Sequence, residues 1–261
     1  MKTVIAIMLA AALLPNVCFA DAPDYARERK MMVDTQVMTR GIKDQKILDI
    51  IGKTERHKFV PEGMREYAYE DISLPVGDDE AVPPAYFTAL IAKMAGLRGD
   101  ERVLIIGVEA GYQAAVFSGL AREIYCVDVS EKLTAAAEKK LEALGYGNIK
   151  IKTGNLQAGW IERAPFHLII ITNPMEYAPK NVIDQVMMNG KVIMPIREFW
   201  GKKLIVMTKI PRDKGGYEMV ATLVGPAAGE KPLGFPKKES SKDDSSKWTT
   251  GKGSKWMKRN K

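Results

Sequence analysis

Two glycines and one acidic residue carry the clearest chemical signal in this 261-residue chain. Gly107 and Gly111 frame a turn that follows a short apolar run, and residues 112–120 have the composition of a helix. A second apolar run, residues 124–129, presents Asp128, 21 positions after Gly107. Glycines let a backbone approach a ligand, a helix start offers free N–H groups, and an acid accepts hydrogen bonds from ribose hydroxyls. The spacing therefore predicts a nucleotide-cofactor site of the Rossmann type.

The middle of this turn reads Val108-Glu109-Ala110, so a carboxylate stands where such loops have a glycine. A ligand that brings its own carboxylate to the loop would meet a like charge. At about 4 Å and an effective dielectric near 20, the repulsion is about 4 kcal/mol, which is roughly a thousandfold in affinity. The penalty disappears if Glu109 turns to solvent or pairs with a basic side chain. We therefore predict that Glu109 decides what the site can bind.

Alternating strands and helices must position these residues. Ser130 is a plausible N-cap for a helix ending near Gly145, and Pro84 suits the first turn of a helix running to about residue 97. Helical spacing in residues 24–41 and 44–52 predicts an N-terminal helical extension. Pro75, Gly77 and Pro83 then predict a loop. Further apolar runs lie at residues 149–151, 168–172, 192–196, 204–210 and 219–224. The pattern predicts an α/β, doubly wound, mostly parallel sheet whose last two strands form an antiparallel hairpin.

The N-terminus has the features of an export signal. Lys2 precedes an eleven-residue apolar stretch, residues 4–14, and small residues around Ala20 suit cleavage before Asp21. Eleven apolar residues are too few to span a hydrocarbon core of about 30 Å. We predict that residues 1–20 are a cleaved signal peptide and that the protein is exported, periplasmic or secreted. A retained membrane anchor and lipidation through Cys18 are the alternatives.

The positive charge of the chain is concentrated in its last residues. Residues 231–261 hold ten Lys or Arg against three Asp or Glu, an excess equal to the net charge of +7 of the whole chain. Residues 227–261 lack apolar periodicity and are predicted to be a disordered basic tail. Lysines beside Trp248 and Trp256 suit an anionic polymer or an envelope surface as partner. A solvated tail with incidental tryptophans is the alternative.

Other chemistry finds little support in the sequence. Cys126 would be the only cysteine after cleavage, and it lies inside an apolar run, which indicates a small buried residue. His57 and His167 are the only histidines and have no metal-ligand spacing, so we predict no metal site. His167 begins an apolar strand and is interpreted as a partly buried strand residue rather than a general base.

Several short motifs, in order, resemble the protein-L-isoaspartate O-methyltransferases over residues 35–224. They are Arg56-His57-Lys58-Phe59-Val60-Pro61, Ala68-Tyr69-Glu70-Asp71, Pro75-Val76-Gly77, Gly111-Tyr112-Gln113-Ala114-Ala115, Leu144-Gly145-Tyr146, Gly159-Trp160, Ala164-Pro165-Phe166 and Pro195. The resemblance implies a class I S-adenosylmethionine (SAM) methyltransferase fold with a final antiparallel strand. It implies methyl transfer to the misplaced carboxylate of isoaspartyl residues in damaged proteins or peptides. Residues 21–100 would be a helical and substrate-loop region, and residues 101–226 the Rossmann-like core.

The chain departs from the family pattern at the positions that carry its chemistry. The resemblance implies Gly107, Glu109, Gly111, Asp128 and Asn155 as cofactor-binding positions. Of these, Glu109 replaces a glycine, Asn155 replaces an aspartate, and Asp128 keeps the ribose-binding acid. Other departures are Ile105 for an acid, Ala81 and Pro83 for two hydroxyl residues, and His167 for an acid. Pro83 stands at the catalytic position of the serine that holds the reacting carboxylate, and proline has no donor for that task.

Two functions from different classes follow from these residues. The first is an exported isoaspartyl methyltransferase-like enzyme with weak SAM binding and impaired activity. The second is a non-catalytic descendant of the fold, acting as a cell-envelope binding or assembly module. A third hypothesis is an altered cofactor or substrate, with Glu109 pairing to a cationic ligand. Fold alone does not decide among them.

Overall fold

A computed structural model describes residues 24–77, 80–172, 177–198, 201–213 and 215–224. The signal peptide and the basic tail predicted from the sequence lie outside these residues. The α-helices are α1 (Tyr25–Met32), α2 (Gln45–Lys53), α3 (Ala85–Ala95), α4 (Tyr112–Ser118), α5 (Glu131–Ala143) and α6 (Lys180–Asp184). The strands are β1 (Leu74–Gly77), β2 (Glu80–Val82), β3 (Arg102–Ile106), β4 (Glu123–Asp128), β5 (Ile149–Thr153), β6 (Phe166–Ile171), β7 (Val186–Glu198), β8 (Gly201–Pro211) and β9 (Tyr217–Val224).

The main sheet has the strand order β5-β4-β3-β6-β7-β8-β9. Strands β5, β4, β3, β6 and β7 pair in parallel, which confirms the predicted α/β class. The predicted hairpin is present as β8 and β9, and β8 is also antiparallel to β7. The chain leaves β3 toward β4 and later returns on its other side as β6, so the strand order reverses between β3 and β6. Ligands of open α/β sheets bind at the carboxyl ends of strands beside such a reversal.

The sheet is buried on both faces, which explains its continuous apolar strands. Val103 and Ile105 of β3 pack with α3, α4 and α5, while Leu104 and Ile106 pack on the opposite face with Val182 of α6. Covering helices on both faces match the doubly wound expectation. They leave the carboxyl edge of β3, β4 and β6 as the place where loops can form a site.

The helical extension before the sheet follows the sequence expectation with one irregularity. Helix α1 continues into a π-helical turn, Val33–Val37, and a 3-10 turn that ends at Gly41 with φ 82°. The N-cap of α2 is Asp44, whose side chain accepts from the N–H of Ile47. None of the helices in the described ranges is long and apolar enough to cross a membrane.

One local expectation was wrong. The segment around Pro75, Gly77 and Pro83 was predicted to be a loop, but β1 and β2 pair there as a small antiparallel hairpin. Leu74 lies opposite Val82, and both side chains are buried. The strands are only four and three residues long, too short for an alternating pattern to stand out in the sequence.

Candidate functional site

The glycine turn lies where the sequence placed it, directly after β3. Gly107 has φ 95° and Gly111 has φ 88°, conformations that favour glycine. The N–H of Gly107 donates to the carbonyl of Val127 in β4 at 2.9 Å, and the N–H of Gly111 donates to Val108 O at 2.9 Å. A Cβ on Gly111 would come within 3.2 Å of Leu141 in α5. The turn is therefore tight and closely packed against both β4 and α5.

Asp128 closes the other side of the turn. Its side chain is only 2% exposed, and one carboxylate oxygen accepts from Val108 N at 2.8 Å while the other accepts from Ser130 N at 3.0 Å. The structure thus brings Asp128 beside the glycine turn, as predicted from their spacing. The carboxylate ties the turn to the end of β4, and each oxygen keeps a second acceptor direction.

Val129 is a site residue that the sequence analysis missed. It follows Asp128 directly, yet its apolar side chain is 64% exposed. An exposed β-branched residue at the carboxyl end of a buried strand offers a flat apolar surface beside the acid. The signal was present in the sequence, because Val129 is the last apolar residue of the run and is followed by the helix cap Ser130.

Glu109 lies inside the turn and is largely buried. It is 8% exposed, and its φ of 50° is a left-handed conformation that a glycine would adopt with less strain. This low exposure argues against a turn of the Glu109 side chain to solvent. Arg56 is a candidate for the basic neighbour, because burial lowers the pKa of its guanidinium and the charge of Glu109 opposes that shift.

Arg56 connects the turn to the substrate-side loops, a role that its place in a sequence motif did not reveal. Its side chain is completely buried, and it donates to four backbone carbonyls. Nε donates to Ala68 O at 2.7 Å, Nη1 to Pro83 O, and Nη2 to Ile72 O at 3.2 Å and Val82 O at 3.4 Å.

The aromatic ring of Tyr112 holds the same guanidinium against the glycine turn. The Arg56 guanidinium carbon lies 5.0 Å from the centre of that ring. Burial lowers the pKa of Arg56, while Tyr112 and Glu109 oppose that shift. Burial also raises the pKa of Tyr112 to about 12, so its phenol is neutral at physiological pH. The guanidinium therefore lies against the Tyr112 ring and donates to the loop of Pro83, and the charge of Glu109 acts on it.

Pro83 directly follows β2 and is buried. Its carbonyl accepts from Arg56, so this position is held through the backbone. The pyrrolidine ring offers neither a side-chain donor nor an N–H. At the position that the resemblance assigns to a serine, Pro83 thus has a structural contact and no side-chain group that could orient a carboxylate.

Asn155 begins the loop after β5 and is exposed. Its side-chain oxygen accepts from Gln157 N at 2.9 Å, so part of its acceptor capacity stabilises the loop itself. The same loop is anchored by the buried Gln185, which accepts from Trp160 N at 2.8 Å and donates to Ala158 O at 2.7 Å. Asn155 is therefore on an anchored loop whose Gly154 N–H donates to Asp128 O at 2.8 Å, and its contact with a base stays a prediction.

The remaining candidates lie away from this edge. His167 accepts from the backbone N–H of Arg102 through Nδ1 at 3.1 Å, at the amino end of the sheet, which agrees with its interpretation as a strand residue. Cys126 is free and buried, and burial raises the pKa of its thiol. Ile105 is part of the core. Within the described ranges, no three His, Cys, Asp or Glu side chains are grouped so that they could hold a metal ion.

Comparison with known proteins gives consistent matches. The family model described as protein-L-isoaspartate(D-aspartate) O-methyltransferase matches residues 27–224. Protein-L-isoaspartate O-methyltransferase 2 of Shewanella sediminis is 36% identical over 219 residues, which are 84% of this chain and 88% of that protein. The protein of the same name from Geotalea uraniireducens is 39% identical over 186 residues, which are 71% and 85% of the two chains.

Solved structures agree in fold. A protein-L-isoaspartate O-methyltransferase structure superimposes with a TM-score of 0.63 at 25% identity, over 79% of this chain and 67% of that one. A Plasmodium falciparum protein described as a beta-aspartate methyltransferase, solved with S-adenosyl-L-homocysteine, gives a TM-score of 0.61 at 18% identity, over 79% and 98%. The match of the family model and the identity to these relatives cover most of the chain. This chain therefore belongs to the protein-L-isoaspartate O-methyltransferase family.

Proposed function

We propose that this protein is an exported, protein-L-isoaspartate O-methyltransferase-like protein whose methyl transfer is strongly impaired. Family membership supports SAM as the cofactor class and isoaspartyl sites of damaged proteins as the acceptor class. The observation that carries the impairment is the buried carboxylate of Glu109 inside the glycine turn.

The nucleoside half of SAM fits the residues present. Asp128 keeps one acceptor direction on each oxygen for ribose hydroxyls. Val129 offers exposed apolar surface next to it, which suits the face of a base. Asn155 is exposed on the neighbouring loop and carries an amide that can exchange hydrogen bonds with a base edge.

The aminoacyl half of SAM and the acceptor carboxylate do not fit. Glu109 places a negative charge in the turn, where the family resemblance implies that the cofactor carboxylate lies. Pro83 has no donor for the acceptor carboxylate. Methyl transfer depends mainly on positioning the nucleophile, the methyl group and the sulfur in line, so the loss of positioning groups lowers the rate directly. We therefore assign no catalytic role to Pro83.

The second candidate function is a non-catalytic envelope binding or assembly module. The same two residues favour it, and so do the export signal and the basic tail of the sequence, which lie outside the described residues. An exported protein would also meet little SAM, because SAM is made with ATP in the cytoplasm. Deletion of residues 231–261 should abolish salt-sensitive retention on an anionic matrix if the tail is a binding element. Unchanged retention would remove that support.

Methyl transfer to an isoaspartyl peptide tests the impairment. Labelled SAM is supplied, and the methanol released from the methyl ester is counted, with the Shewanella sediminis relative as positive control. We expect background turnover for the wild type and a gain of at least tenfold for the triple variant Glu109→Gly, Asn155→Asp and Pro83→Ser. The variant without Pro83→Ser should gain SAM binding but little turnover. Wild-type turnover equal to that of the relative would overturn the proposal.

A further inference from the structure

Several backbone N–H groups of the glycine turn donate hydrogen bonds to acceptors within the protein. The N–H groups of Gly107, Val108 and Gly111 donate to Val127 O, to the Asp128 carboxylate and to Val108 O. A turn that binds an anionic group must direct such N–H groups at the ligand. These three donors are directed at acceptors within the fold instead.

A carboxylate is also already built into the turn. Glu109 is 8% exposed, so its charge lies within the fold and is not diluted by solvent. Its left-handed backbone conformation persists although a glutamate pays for it in strain. Packing around the turn must therefore favour the side chain in its buried position.

The positive charge beside the turn is already committed. Arg56 is fully buried, and its guanidinium donates four hydrogen bonds to backbone carbonyls. Nε donates to Ala68, Nη1 to Pro83, and Nη2 to Ile72 and Val82. Four of its five N–H protons thus have acceptors. The charge of Glu109 acts on this guanidinium as well. A second carboxylate arriving from a ligand would find no free fork on Arg56.

We propose that Glu109 takes the place of a ligand carboxylate in this turn, so that the cleft selects adenosine thioethers whose 5′ chain carries no carboxylate over those that end in an amino acid. The inference rests on the proposed function in one respect, the use of the cleft beside Asp128 and Val129 for a nucleoside. It goes further in naming the ligand class. An amine at the end of the chain is tolerated, because it meets the carboxylate of Glu109 rather than a like charge.

Two ligands that differ by a single group test this selection. They are S-adenosylhomocysteine and its decarboxylated analogue, which share the adenosine, the thioether and the terminal amine. Dissociation constants are measured by titration calorimetry on the full chain. We expect the decarboxylated compound to bind the wild type about 100-fold more tightly. This is less than the roughly thousandfold difference expected for an uncompensated pair of carboxylates at about 4 Å, because Arg56 offsets part of the charge of Glu109.

Variants assign the preference to the charge. Glu109→Gln keeps the size of the side chain and should reduce the ratio of the two constants at least tenfold. Glu109→Gly removes the same charge together with the whole side chain and should reduce the ratio at least as much. Glu142→Gln removes a carboxylate from the exposed surface of α5 and should leave the ratio unchanged. Circular dichroism checks that each variant is folded. If a variant does not fold, the ratio of the two dissociation constants of the wild type still tests the selection.

The outcomes separate this inference from the proposed function. If the wild type binds S-adenosylhomocysteine as tightly as the decarboxylated compound, the selection by Glu109 is wrong while the nucleoside cleft stands. An unchanged ratio in both Glu109 variants would assign the preference to another group and overturn the inference as well. If neither compound binds the wild type or Glu109→Gly, the nucleoside cleft itself is refuted and the inference falls with it, whereas the impairment of methyl transfer is still decided by the turnover assay.

Discussion

Removing the buried guanidinium of Arg56 should destabilise the fold and release its electrostatic coupling to the glycine turn. Arg56→Met keeps an apolar chain of similar length but deletes every donor. The carbonyls of Ala68, Ile72, Val82 and Pro83 lose their charged partner, and Glu109 loses the cation that its charge acts on. The variant therefore perturbs the substrate-side loops and the cofactor turn together.

The loss of stability in Arg56→Met depends on the buried carbonyls that lose their hydrogen-bond donor. Four charged hydrogen bonds at roughly 1.5–3 kcal/mol each would sum to about 6–12 kcal/mol, comparable to the whole stability of a typical domain. Relaxation of the loops, and the recovered cost of burying the Arg56 charge, reduce that sum. We expect a loss of about 3–5 kcal/mol in the free energy of unfolding, as for other buried charges that lose one partner. With Glu109→Gln in the same chain, the loss should be smaller than the sum of the single variants by about 1–3 kcal/mol.

Urea unfolding at pH 7, followed by circular dichroism, measures the four corners of this cycle. If Arg56→Met does not fold, Arg56→Lys keeps the charge while losing the planar fork, and the cycle is run with that variant. Additivity of the two single variants within about 0.5 kcal/mol would show that Arg56 and Glu109 are independent. It would refute the electrostatic coupling between Glu109 and Arg56.

Three further predictions concern packing around the site. Burial lowers the pKa of His57, whose Nδ1 lies 2.6 Å from the Tyr69 hydroxyl, so the folded state binds fewer protons than the unfolded chain just below pH 6.5. Thermal stability should therefore fall as pH drops from 7 to 5, and fall less in His57→Gln; equal slopes would contradict this. Ser130→Ala removes the N-cap that accepts from Leu133 N and should cost about 1 kcal/mol in urea unfolding, and no loss would contradict the cap. Burial raises the pKa of the Cys126 thiol, so Ellman's reagent should label it only after unfolding; fast labelling of the folded chain would show exposure.

The sheet was predictable because its signals are local. Each parallel strand is a short apolar run buried on both faces, and Ser130 caps α5 through its own side chain. The hairpin of β1 and β2 was not predictable, because its strands are too short for a pattern and are stabilised by what packs on them. Leu74 and Val82 belong to the core around α3, which only the folded chain assembles.

The candidate site divides in the same way. Gly107, Gly111 and Asp128 were predicted from spacing, because a turn and the strand beside it are close in sequence. Arg56 was missed as a site residue for a physical reason. Its partners are backbone carbonyls 12 to 27 positions away, and a carbonyl carries no residue identity that a sequence could reveal.

Two of the departures from the family pattern, Pro83 and Glu109, both act on the guanidinium of Arg56. Arg56 donates to the carbonyl of Pro83, beside which the acceptor carboxylate would be held. The charge of Glu109, which lies where the cofactor carboxylate would be held, also acts on Arg56. Each of the family's two anions would thus approach a cation that the protein has already satisfied. Because a buried cation with most of its N–H groups hydrogen-bonded gains little from a further anion while the anion still loses its hydration, both ligand ends are disfavoured near Arg56. Restoring Glu109→Gly alone should therefore recover SAM binding without turnover. Restoring Pro83→Ser alone should recover neither.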